Sequence, residues 1–152
     1  MNVFVLDYDP VVAASYLVDK HVVKMVLETA QLLSTAVNLA GVEAPYKTTH
    51  ANHPCSLWTR ESRQNFNWLV RHGTAIAEEY TRRYGRVHKS ESIVRMLSVC
   101  SELFPDTSLT PFALAMPDEY KTNDAVESYH AYYMRAKRHI ASWKTNRPPW
   151  FV

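Results

Sequence analysis

Lys20, His21, Lys24, Glu28, Gln31 and Thr35 recur at helical spacing near the start of this chain. The stretch from Pro10 to Ala40 that carries them has helical apolar spacing and no internal Pro or Gly. At about 100° per residue those six side chains fall on one narrow stripe. Most of the remaining positions are apolar: Val22, Val23, Met25, Val26, Leu27, Ala30, Leu32 and Leu33. Asp19 is the exception, a carboxylate aimed among Val23, Val26 and Ala30. Amine, imidazole and carboxylate groups in one row are equipment for moving protons and stabilising charge at a reacting centre. The same residues also describe a solvated helix face with one Asp capping a neighbouring backbone, and the spacing alone leaves both readings open.

Two further segments carry candidate ligand groups. The loop from Val42 to His53 holds Tyr46, Thr48, Thr49, His50, Asn52 and His53 beside a helix start, a setting in which loops often carry function. The turn Tyr84-Gly85-Arg86-Val87-His88-Lys89-Ser90 gathers Arg86, His88 and Lys89 between two helical patterns. Such a cluster suits a phosphate, or else simply complements a helix dipole. With Lys24, the groups His50, His53, His88 and Lys89 form the candidate substrate-binding set. No metal site is expected, because His50 and His53 lack the Cys or carboxylate partners that zinc sites usually group tightly. The chain has neither a Gly-rich phosphate loop nor a Gly-x-Ser-x-Gly elbow. Kinase, NTPase, Rossmann and serine-hydrolase chemistry are therefore poor readings, and no cofactor is expected.

The charge distribution is more telling than the net charge of +2. Between Trp58 and Lys89 lie Arg60, Arg63, Arg71, Arg82, Arg83, Arg86 and Lys89, against Glu61, Glu78 and Glu79. From Tyr129 to Val152 there are Arg135, Lys137, Arg138, Lys144 and Arg147 and no acid. Aromatics are interleaved with both sets, and cations beside stacking surfaces are what nucleic-acid binding needs. Arg60, Arg63, Arg82, Arg83 and Arg86 are the candidate DNA contacts, with double-stranded DNA or a nucleotide as the expected partner. No run is apolar enough to span a bilayer, so no membrane partner is expected. The amino-terminal residues lack the features of a signal peptide. Cys55 and Cys100 are isolated and read as reduced thiols of a cytoplasmic protein.

The elements that must position these groups read as helices. Only 3 Gly among 152 residues, with 47% hydrophobic content, favours an all-α fold of one domain over residues 1–152. Val3 to Leu6 is a short strand or an extended lead-in. Asp9-Pro10 should start a first long helix running to Ala40 and stopping at Gly41. His53-Pro54 should open a second from Cys55 to Tyr84, ending at Gly85, with Gly73 as a point of interruption. Ser90 to Phe104 is a shorter helix with Ile93, Met96, Leu97 and Cys100 on its apolar face. The segment Pro105 to Lys121 is an irregular covering loop. Asp124 with Glu127 resembles a capping box opening a last helix to about Trp143. Two long helices plus two shorter ones, with a short extended amino-terminal segment, form the expected compact domain.

At Asp19-x-His21, with Glu28 seven residues beyond His21, the chain resembles the phage pyrimidine-dimer DNA glycosylases, the endonuclease V family. The similarity continues through Trp68-Leu69-Val70-Arg71, Glu78 and Arg82-Arg83-Tyr84-Gly85, and in the ending Arg147-Pro148-Pro149-Trp150. The resemblance implies a small all-helical enzyme, in the host cytoplasm if phage-encoded, whose Glu28 is catalytic. His21 would orient Glu28 or relay protons, and Asp19 would hold His21 or the helix entry. The family's nucleophile is the α-amine exposed after Met removal, which usually needs a small second residue. Asn2 is not small, so the amine of Met1 would serve here. The family also carries arginines near its Glu, where this chain has Lys20 and Lys24.

Three readings follow: a DNA-base-excision enzyme for damaged or modified pyrimidines, with or without a lyase step; an enzyme acting on nucleotides or modified bases through a His/Lys phosphate site; and a non-catalytic nucleic-acid-binding accessory protein. Their geometric consequences differ. The first requires Glu28 and the Met1 amine in one cleft, the second a His-lined pocket remote from the amino terminus, and the third no shared pocket.

Overall fold

In a computed structural model that describes residues 1–152, Asp9 caps the first helix through its carboxylate, which accepts from the backbone N–H groups of Val11 and Val12. That helix, α1 (Pro10–Ser15), ends much sooner than its apolar spacing implies, and α2 (Asp19–Leu39) begins after a break at Tyr16 to Val18. The break follows from tertiary structure. Arg83, remote in sequence, donates to the carbonyls of Ser15 (3.0 Å) and Leu17 (2.7 Å), which a continuous helix would have used internally. Next comes α3 (Pro54–Glu61), capped by His53, whose Nδ1 accepts from Cys55 N–H. Ser62 then interrupts the expected second long helix, leaving its backbone extended and its hydroxyl accepting from Asn65 N–H. The longer piece, α4 (Arg63–Tyr84), runs unbroken through Gly73.

Gly73 is a close-packing residue and causes no interruption. A Cβ there would sit 2.6 Å from the Cγ2 of buried Thr29, so the glycine lets α4 approach α2. Gly85 ends α4 in the left-handed region, φ 71°, returning its N–H to Thr81. The third helical stretch is shorter than its pattern: α5 (Glu91–Leu97) continues as a 3₁₀ turn over Ser98–Leu103. Its buried face is Val94 and Leu97, whereas Met96 is exposed. In the covering loop, Phe112 stacks on Trp58 and meets the edge of Trp68. Asp124 caps α6 (Ala125–Ala136) by accepting from Glu127 N–H, while its own N–H goes to Thr122, so the cap lacks the return arm of a capping box. A short 3₁₀ turn over Arg138–Ile140 replaces the rest of that helix.

All regular elements are helical and none is a strand. Val3 to Leu6 is a buried, non-helical lead-in. A single cluster of buried apolar side chains runs from Val3 to Phe151, centred on Val22, Val26 and Leu33 of α2 against Leu69 and Ile76 of α4. Each fully buried Val or Leu contributes about 1.5–3 kcal/mol relative to exposure, which fixes α2 as the central helix. No helix is long and apolar enough to cross a membrane.

Candidate active site

The polar stripe of α2 faces a cleft of about 990 Å³. Its walls come from three segments: α2 itself (Val23, Lys24, Leu27, Glu28, Gln31), the loop Tyr46–His50, and the turn His88–Ser90, with Met1 at one end. Side chains of α2 hold the loop in place. Thr35 Oγ1 bonds both the carbonyl and the N–H of Thr49, and the Asn38 amide spans Tyr46 carbonyl and Ala44 N–H. Tyr46 Oη lies 2.9 Å from Ser90 Oγ, joining loop to turn. The residue that lets the loop turn is His50, whose φ of 50° lies in the left-handed region.

At the end of the cleft the α-ammonium of Met1 lies 3.0 Å from Glu28 Oε1, with side-chain exposures of only 4% and 9%. Lys24 Nζ is 3.5 Å from Oε2 and is exposed. Neither carboxylate oxygen accepts an aligned hydrogen bond. Glu28 is thus a buried carboxylate, its two oxygens shielded from solvent, that meets one amine at each oxygen. Along the rim stand Lys24, Lys47 and Lys89, all exposed, and neither Lys47 nor Lys89 is in an ion pair. Val23 and Leu27, apolar yet exposed, give the cleft a surface for the flat faces of a ligand.

A smaller cavity of about 140 Å³ opens behind the amine, lined by Met1, Asn2, Phe4, His21, Lys24, Glu28, Tyr132 and Lys137 among others. His21 is buried and stacked on Phe4, with Nδ1 2.6 Å from Tyr133 Oη. That hydroxyl also accepts from Val18 N–H. Burial first, then Lys137 and Lys24, lower the His21 pKa from 6.5 to about 3. At neutral pH the ring is uncharged and cannot serve as a charged acid. No hydrogen bond joins it to Asp19. Asp19 instead accepts from Arg83 (3.0 Å) and Lys144 N–H (3.1 Å), and so holds the helix entry.

The histidines gather around the cleft unequally. His50 lines it, with Nδ1 2.8 Å from Thr49 Oγ1. His88 lines it too, but Nδ1 accepts from Ser90 N–H and Nε2 lies 2.9 Å from the Val23 carbonyl, which leaves no ring nitrogen for a phosphate. His53 caps α3 just outside; burial, then the Met1 ammonium and His50, lower its pKa. No group of three or more His, Cys, Asp or Glu side chains is arranged to hold a metal.

The arginines are scattered. Arg83 corrects the expectation that it grips DNA: its side chain is 0% exposed and fully engaged by Glu79, Asp19 and the two carbonyls. Arg82 is exposed and pairs with Glu79. Arg86 is exposed beside the cleft's turn and bonds Tyr80 Oη. Arg63 is partly buried and pairs with Asp106. Arg60 borders a separate hollow with Leu39 and Leu103. Sequence reasoning missed Lys47 and Lys137 as members of the site. The loop was visible, but only the fold could show which face of it turned inward.

Fold and cleft define an all-helical protein that sets its amino-terminal amine against a buried carboxylate, at the end of a cleft rimmed by lysines. The model of the pyrimidine dimer DNA glycosylase family matches residues 1–92, and the chain belongs to that family. Comparison with curated proteins and with solved structures gave no match.

Proposed function

We propose that this protein excises a damaged or modified pyrimidine from double-stranded DNA, with the Met1 amine as nucleophile and Glu28 as the charge-stabilising carboxylate. The observation that carries this reading is the 3.0 Å approach of the amine to a buried carboxylate that has no aligned hydrogen bond of its own. Family membership supports DNA as the substrate. In the first step the amine, having lost a proton, attacks the sugar C1′ and forms a carbon–nitrogen bond. The glycosidic bond breaks, and its electron pair leaves with the base, which takes up a proton. Glu28 stabilises the positive charge that develops on the sugar, as a fixed anion in a water-poor site can. Opening of the sugar ring then leaves an iminium between C1′ and the amine. A lyase step follows from that species by loss of a C2′ proton and expulsion of the 3′ phosphate. Lys24, Lys47 and Lys89 would hold phosphates at the rim. Reaching the sugar requires the nucleotide to leave the stack, and the exposed Val23 and Leu27 offer it an apolar surface.

The nucleotide-acting alternative has less support, because His88 is committed to backbone bonds on both ring nitrogens. The test is borohydride trapping on duplex DNA carrying a pyrimidine dimer or an abasic site, followed by peptide mapping. The expected result is a covalent adduct on the amino-terminal peptide. Base release with no adduct would replace the amine by water as nucleophile, and no base release from any damaged duplex would remove the reading.

A further inference from the structure

We propose that Asn2 is the positioning residue for the Met1 amine, fixing it against Glu28 through a clamp built largely by the carboxy-terminal part of the chain. This rests on the reading above, in which that amine is the reacting group.

Chain termini ordinarily fray unless something ties them down. Here, besides the ion pair of the amine with Glu28, the tie is the Asn2 side chain. Asn2 Nδ2 donates to the Ala115 carbonyl at 2.8 Å, and Asn2 Oδ1 accepts from Val3 N–H at 2.7 Å. The same oxygen lies 3.2 Å from Tyr129 Oη and 3.7 Å from Cys55 Sγ. The contacts come from the covering loop, from α6 and from α3. Ala115 and Tyr129 both lie beyond residues 1–92, the part that the family model matches. Tyr129 is itself locked, its hydroxyl 2.7 Å from the Ala113 carbonyl and accepting from Ala115 N–H, and burial keeps it protonated.

Geometry explains why anchoring residue 2 positions an amine on residue 1. The intervening peptide bond is planar, so a fixed Asn2 leaves the amine only the torsions flanking that bond. An asparagine also answers a chemical need that an aspartate cannot meet, because it must donate to one carbonyl and accept from an N–H at once. The same residue that is too large to favour removal of Met1 therefore supplies the hold on it.

The test uses the full chain and the variant Asn2→Asp, which keeps a large second residue and replaces the donor by a charged oxygen facing the Ala115 carbonyl. Intact mass should show Met1 present in both proteins. Affinity for an abasic-site duplex, read by anisotropy, should stay within about twofold, while the single-turnover rate of borohydride trapping falls about 10- to 100-fold, as expected for a displaced reacting group. Unchanged trapping in Asn2→Asp, with wild-type adduct forming normally, overturns the inference alone. Absence of adduct in the wild type removes the amine reading and this inference with it. If Asn2→Asp fails to fold, Tyr129→Phe removes the hydroxyl that holds Ala113 and Ala115 beside Asn2 and should lower trapping several-fold at unchanged affinity; a wild-type rate there also overturns the proposal.

Discussion

Asp19 and Glu28 sit nine residues apart on the same helix and live in opposite circumstances. Asp19 is saturated: Arg83 Nη1, Lys144 N–H and Ser142 Oγ all reach it, and Arg83 is in turn held by buried Glu79. Glu28 is deeper, yet accepts no aligned hydrogen bond and meets only the Met1 and Lys24 amines. A saturated buried network rigidifies a fold, whereas a carboxylate held by two amines alone keeps acceptor capacity unused. One end of α2 is locked by its partners, and its middle carries the carboxylate to which the proposed reading gives the chemistry.

The largest expected effects divide along that line. Arg83→Ala leaves Glu79 and Asp19 without their guanidinium and strands the carbonyls of Ser15 and Leu17. Breaking a buried pair from one side costs about 3–5 kcal/mol, a large share of a typical domain's stability, and a Tm lower by roughly 10 °C. Glu28→Gln should do the reverse: folding and DNA affinity hold, while base excision slows by about 100- to 1000-fold, the usual cost of one preorganised electrostatic group. Thermal melts and single-turnover excision assays on the two variants check both. Full activity in Glu28→Gln would make the stripe a plain helix face and collapse the contrast.

Much of this division was legible in the residues themselves. The stripe from Lys20 to Thr35, the Asp9-Pro10 start, the Gly85 stop and the all-helical fold follow from spacing and capping, which are local. The broken helices were not legible. Nothing in Tyr16-Leu17-Val18 forbids a helix; the break exists because Arg83 reaches across from α4 to take its carbonyls. For the same reason Arg82 and Arg83 read alike in sequence, although one is exposed and the other is at the centre of a buried network. A charged residue's role depends on partners distant in sequence. The spacing put Glu28 on the polar stripe and the resemblance named it and the Met1 amine together, whereas their meeting at 3.0 Å depends on a lead-in whose path only the fold determines.

A middle-sized effect comes from two neutral imidazoles, His21 beside the amine cavity and His72 in the core. Burial lowers their pKa values from 6.5 to about 3 and about 4. Below pH 6.5 the unfolded chain binds protons that the folded protein refuses, so stability falls as pH drops. The contribution is fully present above pH 6.5 and is lost from there down through each folded pKa. At pH 5 each ring has forfeited about 2 kcal/mol. Melting curves from pH 7.5 to 5 should show this decline. His72→Asn, whose amide can still donate to the Pro10 carbonyl, should flatten the slope, the remainder coming from His21 and from His53 and His130, whose pKa values burial also lowers. An unchanged slope would mean that other groups govern the acid limb.

The smallest effect tests whether the lysine rim, and not the arginine set first suggested by the sequence, faces DNA. Lys47 and Lys89 are exposed on the cleft and form no ion pair. Arg60 lies on a separate hollow, and Arg82 is already paired with Glu79. A phosphate contact releases condensed counterions, so each one adds about 0.9 to the slope of log affinity against log salt. Lys47→Ala and Lys89→Ala should each reduce that slope by about one, weakening binding to all sequences alike. Arg60→Ala should leave it unchanged, and Arg82→Ala should change it little, because the released Glu79 charge offsets the lost cation. Affinity titrations between 50 and 200 mM salt, roughly the range over which multi-contact complexes lose most of their affinity, distinguish the two surfaces. A slope that falls with Arg60 and ignores Lys47 and Lys89 would put the duplex on the other face of the molecule, away from the Met1–Glu28 pair, and the excision reading would lose its geometry.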